Sequence, residues 1–296
     1  MQILLSGQLL FAALVTGAVY VLVAFGLNLV YGTLRLLNVA HGEIVMVGAY
    51  TSFWLFTLAH ISPLISLFAA IALAAALGAA IYLGLVRRLF ASPRLLQRLE
   101  ANSLLLFFAF SIVLQNVAAL LFQPTPRAYQ YLDRVIQLGN ASVTENRLVI
   151  LIVAVVLCIA IILFLRLHIY GLAIKALIQH REAASVVGID VEKVQLLSFC
   201  LGFGLAALAG SLLSMTEQIS PFMGFPYTIA AFVVVILGGL GNLVGGMVAS
   251  LLLGVIETYG VAFTSSSLRS VLIYGIFILV LMIRPQGLLG SRMIVR

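Results

Sequence analysis

Asn38, His41 and Glu43 stand together in RLLNVAHGEIVMVGAY, a stretch that is otherwise almost entirely apolar. Ionisable groups inside a bilayer cost several kcal/mol, so each one needs a reason to be there. On a regular helix, residues two apart point about 200° from each other, so His41 and Glu43 do not pair directly. Gly42 between them lets the backbone break and leaves helix ends beside two ionisable side chains, the way transporters build polar sites at depth. The same residues lie close to Arg35 and could instead pin one helix to another at the membrane boundary. Glu257, in LLLGVIETYG, is a second membrane-depth carboxylate, suited to a water-filled path or to pairing with a neighbouring helix. A third feature is the cluster Gly238, Gly239, Gly241, Gly245 and Gly246 around Asn242, where small residues allow close approach or a break between half-helices. No glycine run is followed by Lys-Ser or Lys-Thr, and there is no HExxH, paired Cys–His spacing or G-x-S-x-G. Metal chemistry, nucleophilic catalysis and nucleotide hydrolysis by this chain are therefore not expected.

The elements that position these groups are set by one polar segment, Arg166 to Lys193, which carries seven of the chain's twenty-five charged residues. Long apolar runs flank it on both sides, so it emerges into water between two membrane-buried halves. Ala173 to Val187 has no proline or glycine, and Ile174, Leu177 and Ile178 continue towards Val186 and Val187 with helical spacing. A short amphipathic helix at the membrane edge is expected there, as a surface anchor or a docking knob for a soluble partner.

Of 296 residues, 64% are apolar and 8% charged, against about half and a quarter in soluble domains. This is the composition of an all-α polytopic membrane protein. The net charge of +7 sits in a few loops and reads as an orientation signal, not as a nucleic-acid footprint. Cys158 and Cys200 lie inside apolar runs and read as packing residues.

Apolar runs occupy approximately 8–31, 39–58, 62–86, 102–122, 148–165, 194–216, 227–240, 244–263 and 269–283. About nine transmembrane helices, within a range of eight to ten, are expected in a single transmembrane domain over 1–296. Assigning alternate loops to opposite sides places twelve positive residues, among them Arg35, Arg87, Arg181, Arg284, Arg292 and Arg296, against four: Arg127, Arg134, Arg147 and Arg269. The richer side is cytoplasmic. The N-terminus is then outside and the C-terminus inside; 166–193 is a cytoplasmic loop and 123–147 an extracytoplasmic one. Within the latter, Asn140 opens a glycosylation-type sequon that has meaning only in a eukaryotic secretory setting.

Four passages together resemble the LivH-type permeases of branched-chain amino-acid ABC importers: LNVAHGEIVMVGAY at 37–50, REAASVVGIDVEKV at 181–194, the glycine-rich 220–257, and RPQGLLG at 284–290. The resemblance covers nearly the whole chain and implies half of a pathway in the bacterial inner membrane. The partners it implies are a second related permease, two cytoplasmic ATPase subunits that bind the ATP and Mg, and an extracytoplasmic substrate-binding protein. The permease itself would carry no cofactor. Similar permeases serve urea, short amides or aromatic acids, and a stand-alone secondary transporter or channel is the alternative from another class. Glu182-Ala183-Ala184 with Gly188, preceded by Arg181, looks like the coupling element that docks on the ATPase, although the Ile-x-Leu-Pro that follows in the consensus is missing. Arg127, Arg134 and Arg147 are expected to orient the binding protein. Asn38, His41, Glu43, Asn242 and Glu257 are the candidate substrate pathway.

Overall fold

The computed structural model describes residues 7–139, 141–265, 268–283 and 287. Arg284, Arg292, Arg296, Asn140 and the ending RPQGLLG other than Gly287 lie outside the described residues. The chain is built from α1 (Gly7–Leu34), α2 (His41–Ala59), α3 (Pro63–Ile81), a π-turn at Tyr82–Val86, α4 (Arg87–Ala91), α5 (Pro93–Leu96) and α6 (Leu99–Phe122). A hairpin of β1 (Val135–Leu138) and β2 (Ala141–Thr144) follows, antiparallel with Val135 opposite Thr144. Then come α7 (Glu145–Leu167), α8 (Ile169–Gln179), α9 (Arg181–Val186), α10 (Val191–Leu213), α11 (Gly224–Gly238), α12 (Leu243–Phe263) and α13 (Arg269–Ile283).

Among the described residues seven helices are long and apolar enough to cross a membrane, α3 being counted together with its π-turn and α4. α11 and α13, over the two runs that are short in the sequence, have 15 residues each. At 1.5 Å per residue they span about 22 Å, less than a full hydrocarbon core.

The core is an antiparallel pair, α1 against α10. The two helices touch at Gly26 and Gly202, where a Cβ on either would meet the other's carbonyl oxygen within 2.7 Å. Gln195 Nε2 also donates to the Thr33 carbonyl at 3.2 Å. α12 packs on α1 and α3 packs on α10; α2 lies against α10 and α3, as α11 lies against α1 and α12. Each unit, α1–α3 and α10–α12, is thus a long helix, a returning leg, a helix that starts inside the bundle, and a helix laid on the other unit's long member. Because α1 and α10 run oppositely, the two units have the logic of an inverted repeat. Outside this core, α6 and α7 each bury only 17% of their spanning windows, as helices facing lipid or another membrane chain do.

Candidate functional site

Both returning legs climb to the middle of the bundle. The chain reverses at Arg35, which holds φ +57. Leu37 N donates to Ser103 Oγ at 3.1 Å, and His41 Nε2 donates to the Val23 carbonyl at 3.0 Å. Val23 lies eleven residues before the end of α1, about 16 Å back along its axis. α2 therefore starts at mid-helix depth rather than at the end of the bundle. From the opposite end the chain returns through residues 214–223, where Ile219 and Met223 pack with Met46, Ala49 and Tyr50 of α2, and α11 starts at Gly224, directly against Gly42. A Cβ on Gly42 would stand 2.0 Å from the Gly224 carbonyl, and one on Gly224 2.6 Å from the Gly42 carbonyl. Only glycine fits at this crossing. Thr228 stitches it together: its Oγ1 accepts from Gly42 N at 2.9 Å and donates to the Val39 carbonyl at 3.1 Å.

Two helix N-termini, each the positive end of a macrodipole, thus meet in the interior. Glu43 lies in the first turn of α2, fully buried. Its Oε1 accepts from Gln115 Nε2 at 2.7 Å and from Ser111 Oγ at 3.1 Å, both on α6. Its Oε2 lies beside Gly224 and has no hydrogen-bond partner among the described residues. The same holds for both amide atoms of Asn38 and for Nδ1 of His41, likewise fully buried. Buried polar atoms of this kind are costly to leave unpaired. Gln115, Ser111 and Thr228 escaped the sequence reading. Ser111 and Thr228 are each one polar residue in an apolar run and Gln115 stands there beside Asn116, which is the only signal they give.

Glu43→Leu leaves the Ser111 hydroxyl and the Gln115 amide without their acceptor and is expected to cost about 1–3 kcal/mol. Glu43→Gln keeps an acceptor for both. In thermal unfolding of detergent-solubilised protein the Leu variant should melt well below the Gln variant; equal midpoints would remove these bonds from the account of stability.

The remaining candidates lie apart. Asn242 caps α12, accepting from Gly245 N at 2.9 Å, and Asn28 holds the same turn by accepting from Gly241 N at 2.9 Å and donating to the Asn242 carbonyl at 3.1 Å. This turn sits at the Arg35 end of the bundle. Glu257 belongs to the hairpin end, in a triangle between three helices. Tyr20 OH donates to Glu257 Oε2 at 2.5 Å, Arg269 Nε pairs with Oε1, and Arg269 Nη2 donates to Tyr20 OH at 3.3 Å.

In the polar segment the continuous helix expected over 173–187 is two helices, α8 and α9. The break is at His180, whose extended backbone lets its Nδ1 accept from Ala183 N at 3.1 Å and start a new N-terminus. α9 ends in a Schellman motif: Ile189 N donates to the Ala184 carbonyl, Gly188 N to that of Ser185, both at 3.1 Å, and Gly188 holds φ +87 with open space around it. Gly188 thus serves as a left-handed terminus, with no close neighbour inside the chain. Ala184 is buried with Leu165, Ile174, Leu177 and Val194. Arg181, Glu182 and Ala183 are exposed, as are Val186 at 85% and Val187 at 74%. The Arg181 guanidinium lies 4.9 Å from the Phe90 ring centroid.

Of the three arginines expected to orient a binding protein, Arg127 is committed internally: it lies over Trp54 at 5.1 Å and donates to the Phe122 carbonyl at 3.1 Å. Arg134 and Arg147 are exposed.

A family model described as "Branched-chain amino acid transport system / permease component" matches residues 9–281. The chain is 31% identical to the high-affinity branched-chain amino acid transport system permease protein LivH of Salmonella typhimurium and to that of Escherichia coli K12, over 98% of this chain and 97% of each relative. It is 31% identical to the corresponding permease protein BraD of Pseudomonas aeruginosa, over 96% of this chain and 95% of that one. No solved structure matches.

Proposed function

Since the chain belongs to the family of permease components of branched-chain amino acid transport systems, we propose that it forms half of the translocation pathway of an ATP-driven importer for branched-chain or other hydrophobic amino acids. It is a multi-pass protein of the bacterial inner membrane. The family supports a second permease, two ATPase subunits and a binding protein as partners, with nucleotide hydrolysis left to the ATPases. The positive-residue count supports placing the hairpin end outside and the Arg35 end in the cytoplasm. α9, with Val186 and Val187 outward, is then the knob that enters an ATPase groove.

The observation that carries the pathway is the meeting of α2 and α11 at mid-depth, with Glu43 Oε2 and Asn38 unpaired beside it. Two helix N-termini favour a carboxylate and Glu43 favours an ammonium, so the crossing suits a zwitterion. Both are fully buried here, which is the closed form. Engagement of the ATPases would part the helices and expose the site transiently, since tight binding would prevent release inside.

The test is reconstitution of the four kinds of subunit in proteoliposomes with loaded binding protein outside. Leucine uptake should require ATP and all partners. Accumulation by the permease alone without ATP would instead identify a stand-alone transporter, and preferential uptake of urea, a short amide or an aromatic acid would move the substrate class. At the outer face, Arg134 carries the orientation of the binding protein that Arg127, being committed internally, does not. Arg134→Ala should slow association severalfold and flatten its salt dependence. Unchanged association kinetics across ionic strengths would leave 123–147 a simple connector.

A further inference from the structure

The hairpin end of the bundle contains a cavity of about 130 Å³ enclosed by the first half of α1, the starts of α7, α11 and α13, the end of α10, and α12. That is on the order of ten times the space one water needs, room for a solute of several non-hydrogen atoms. One wall is aliphatic, made by Val15, Val19, Ile150 and Leu213. The charged groups on the lining are Arg147, Arg269 and Glu217. Arg269 is already matched by Glu257, whereas Arg147 and Glu217 form no ion pair among the described residues. The lining therefore offers one uncompensated charge of each sign beside an apolar wall.

That combination discriminates by charge. A carboxylic acid or an amine alone would leave one of the two protein charges unmatched, while a zwitterion matches both and adds no net charge. We infer that this cavity is the outer receiving site for an α-amino acid, with the carboxylate at Arg147 and the donor edge of Arg269, the ammonium at Glu217, and the aliphatic side chain against Val15, Val19, Ile150 and Leu213. Arg269 retains donors for this because Glu257, Tyr20 and Tyr227 take only part of a five-donor guanidinium. The inference rests on the amino-acid reading above and deepens it by naming a site.

Position supports it twice. Arg147, Thr216 and Glu217 also line a larger hollow of about 460 Å³ beside the β-hairpin. They stand at the threshold between an outer vestibule and the inner cavity. Tyr227 lines the cavity and lies in the first turn of α11, one residue before Thr228 and three after Gly224, the residues that meet Gly42. A solute leaving the cavity past Tyr227 arrives at the central crossing. The Tyr20–Glu257–Arg269 triangle holds Arg269 in place at the rim.

The test uses the full complex, without binding protein, in which Cys158→Ala and Cys200→Ala remove the native thiols and Thr16→Cys, on the cavity wall, supplies a reporter; Thr258→Cys, also on the lining, serves if the first does not assemble. Labelling by a small thiosulfonate is followed in time. Millimolar leucine should slow it about threefold, the factor expected when roughly two thirds of the sites are filled. Leucinamide and 4-methylpentanoate, each lacking one charge, should not slow it, and adding Glu217→Gln should abolish the leucine effect. Equal protection by all three solutes, or none by leucine in a preparation that takes up leucine once ATP and loaded binding protein are supplied, overturns the receiving site while leaving the importer reading intact. Slowing by the binding protein but never by leucine overturns it in favour of a docking hollow. Loss of ATP-driven leucine uptake in the wild-type complex is the separate result that would remove the importer reading itself.

Discussion

Gly48→Ala and Gly210→Ala are expected to cut the accumulation of folded permease sharply, whereas Gly275→Ala should be silent. A Cβ on Gly48 would lie 1.9 Å from the Ala207 carbonyl oxygen, and one on Gly210 1.8 Å from that of Val45. Both clashes are with backbone of a packed helix, so no rotamer change relieves them and α2 must move off α10 by more than an ångström. Overpacking costs about 1–3 kcal/mol even where side chains can adjust, and about 3 kcal/mol or more is expected here. Moving α2 also withdraws its N-terminus from Gly224, so what protein remains should transport poorly. Around Gly275 the space is open within 4 Å, which makes it the control for helix propensity. Size-exclusion profiles and thermal midpoints of solubilised protein read the effect. Ala207→Gly should not rescue Gly48→Ala, because the obstacle is the carbonyl and not the methyl; rescue, or a Gly48→Ala midpoint within about 2 °C of wild type, would refute the backbone contact.

The second large effect is expected at α9. Val187→Glu should reduce ATP-driven uptake by on the order of a hundredfold while the protein inserts and folds normally. Val186 and Val187 are 85% and 74% exposed, so replacing either costs the isolated permease little. In a complex the same side chains would fill a groove on the ATPase, and loss of a central apolar anchor typically costs about 2–4 kcal/mol. A carboxylate there adds the penalty of an unpaired charge. Gly188→Leu should act in the same direction but more weakly, since a branched residue in the left-handed region costs about 1–2 kcal/mol and disturbs only the helix end. Co-purification of the ATPase with Val187→Glu at wild-type levels, together with wild-type uptake, would move the docking surface away from α9.

Much of this architecture was legible in the residues. The nine apolar runs each coincide with a helix, because hydropathy is a local property and a bilayer enforces it over about 20 residues at a time. The conformation of Gly188 was legible for the same local reason: a glycine after a helical stretch, followed by isoleucine, has few other ways to end a helix. The break expected at Gly42 lies instead just before it, at residues 35–40: His41, Gly42 and Glu43 all belong to α2, and Gly42 serves the close approach of Gly224. Hydropathy could not locate that break, because residues 35–40 look alike whether they lie at the membrane surface or climb back inside. Their depth comes from His41 reaching Val23, and the depth of α11 from Gly224 meeting Gly42. Nor could spacing reveal that Glu43 is held by Ser111 and Gln115, about seventy positions away, or that Tyr20, Glu257 and Arg269 close a triangle across the chain. The break at His180 was hidden because helix propensity through 173–187 is continuous and an imidazole cap is only one of the conformations open there. What the sequence by itself determined was which segments are buried in a membrane, where one helix must stop, and which family the motifs resemble; each follows from local chemistry. The tertiary structure alone decided which carboxylate meets which donor, and that two helices begin in the middle of the bundle, because those pairings join distant residues and exist only once α1 and α10 have packed.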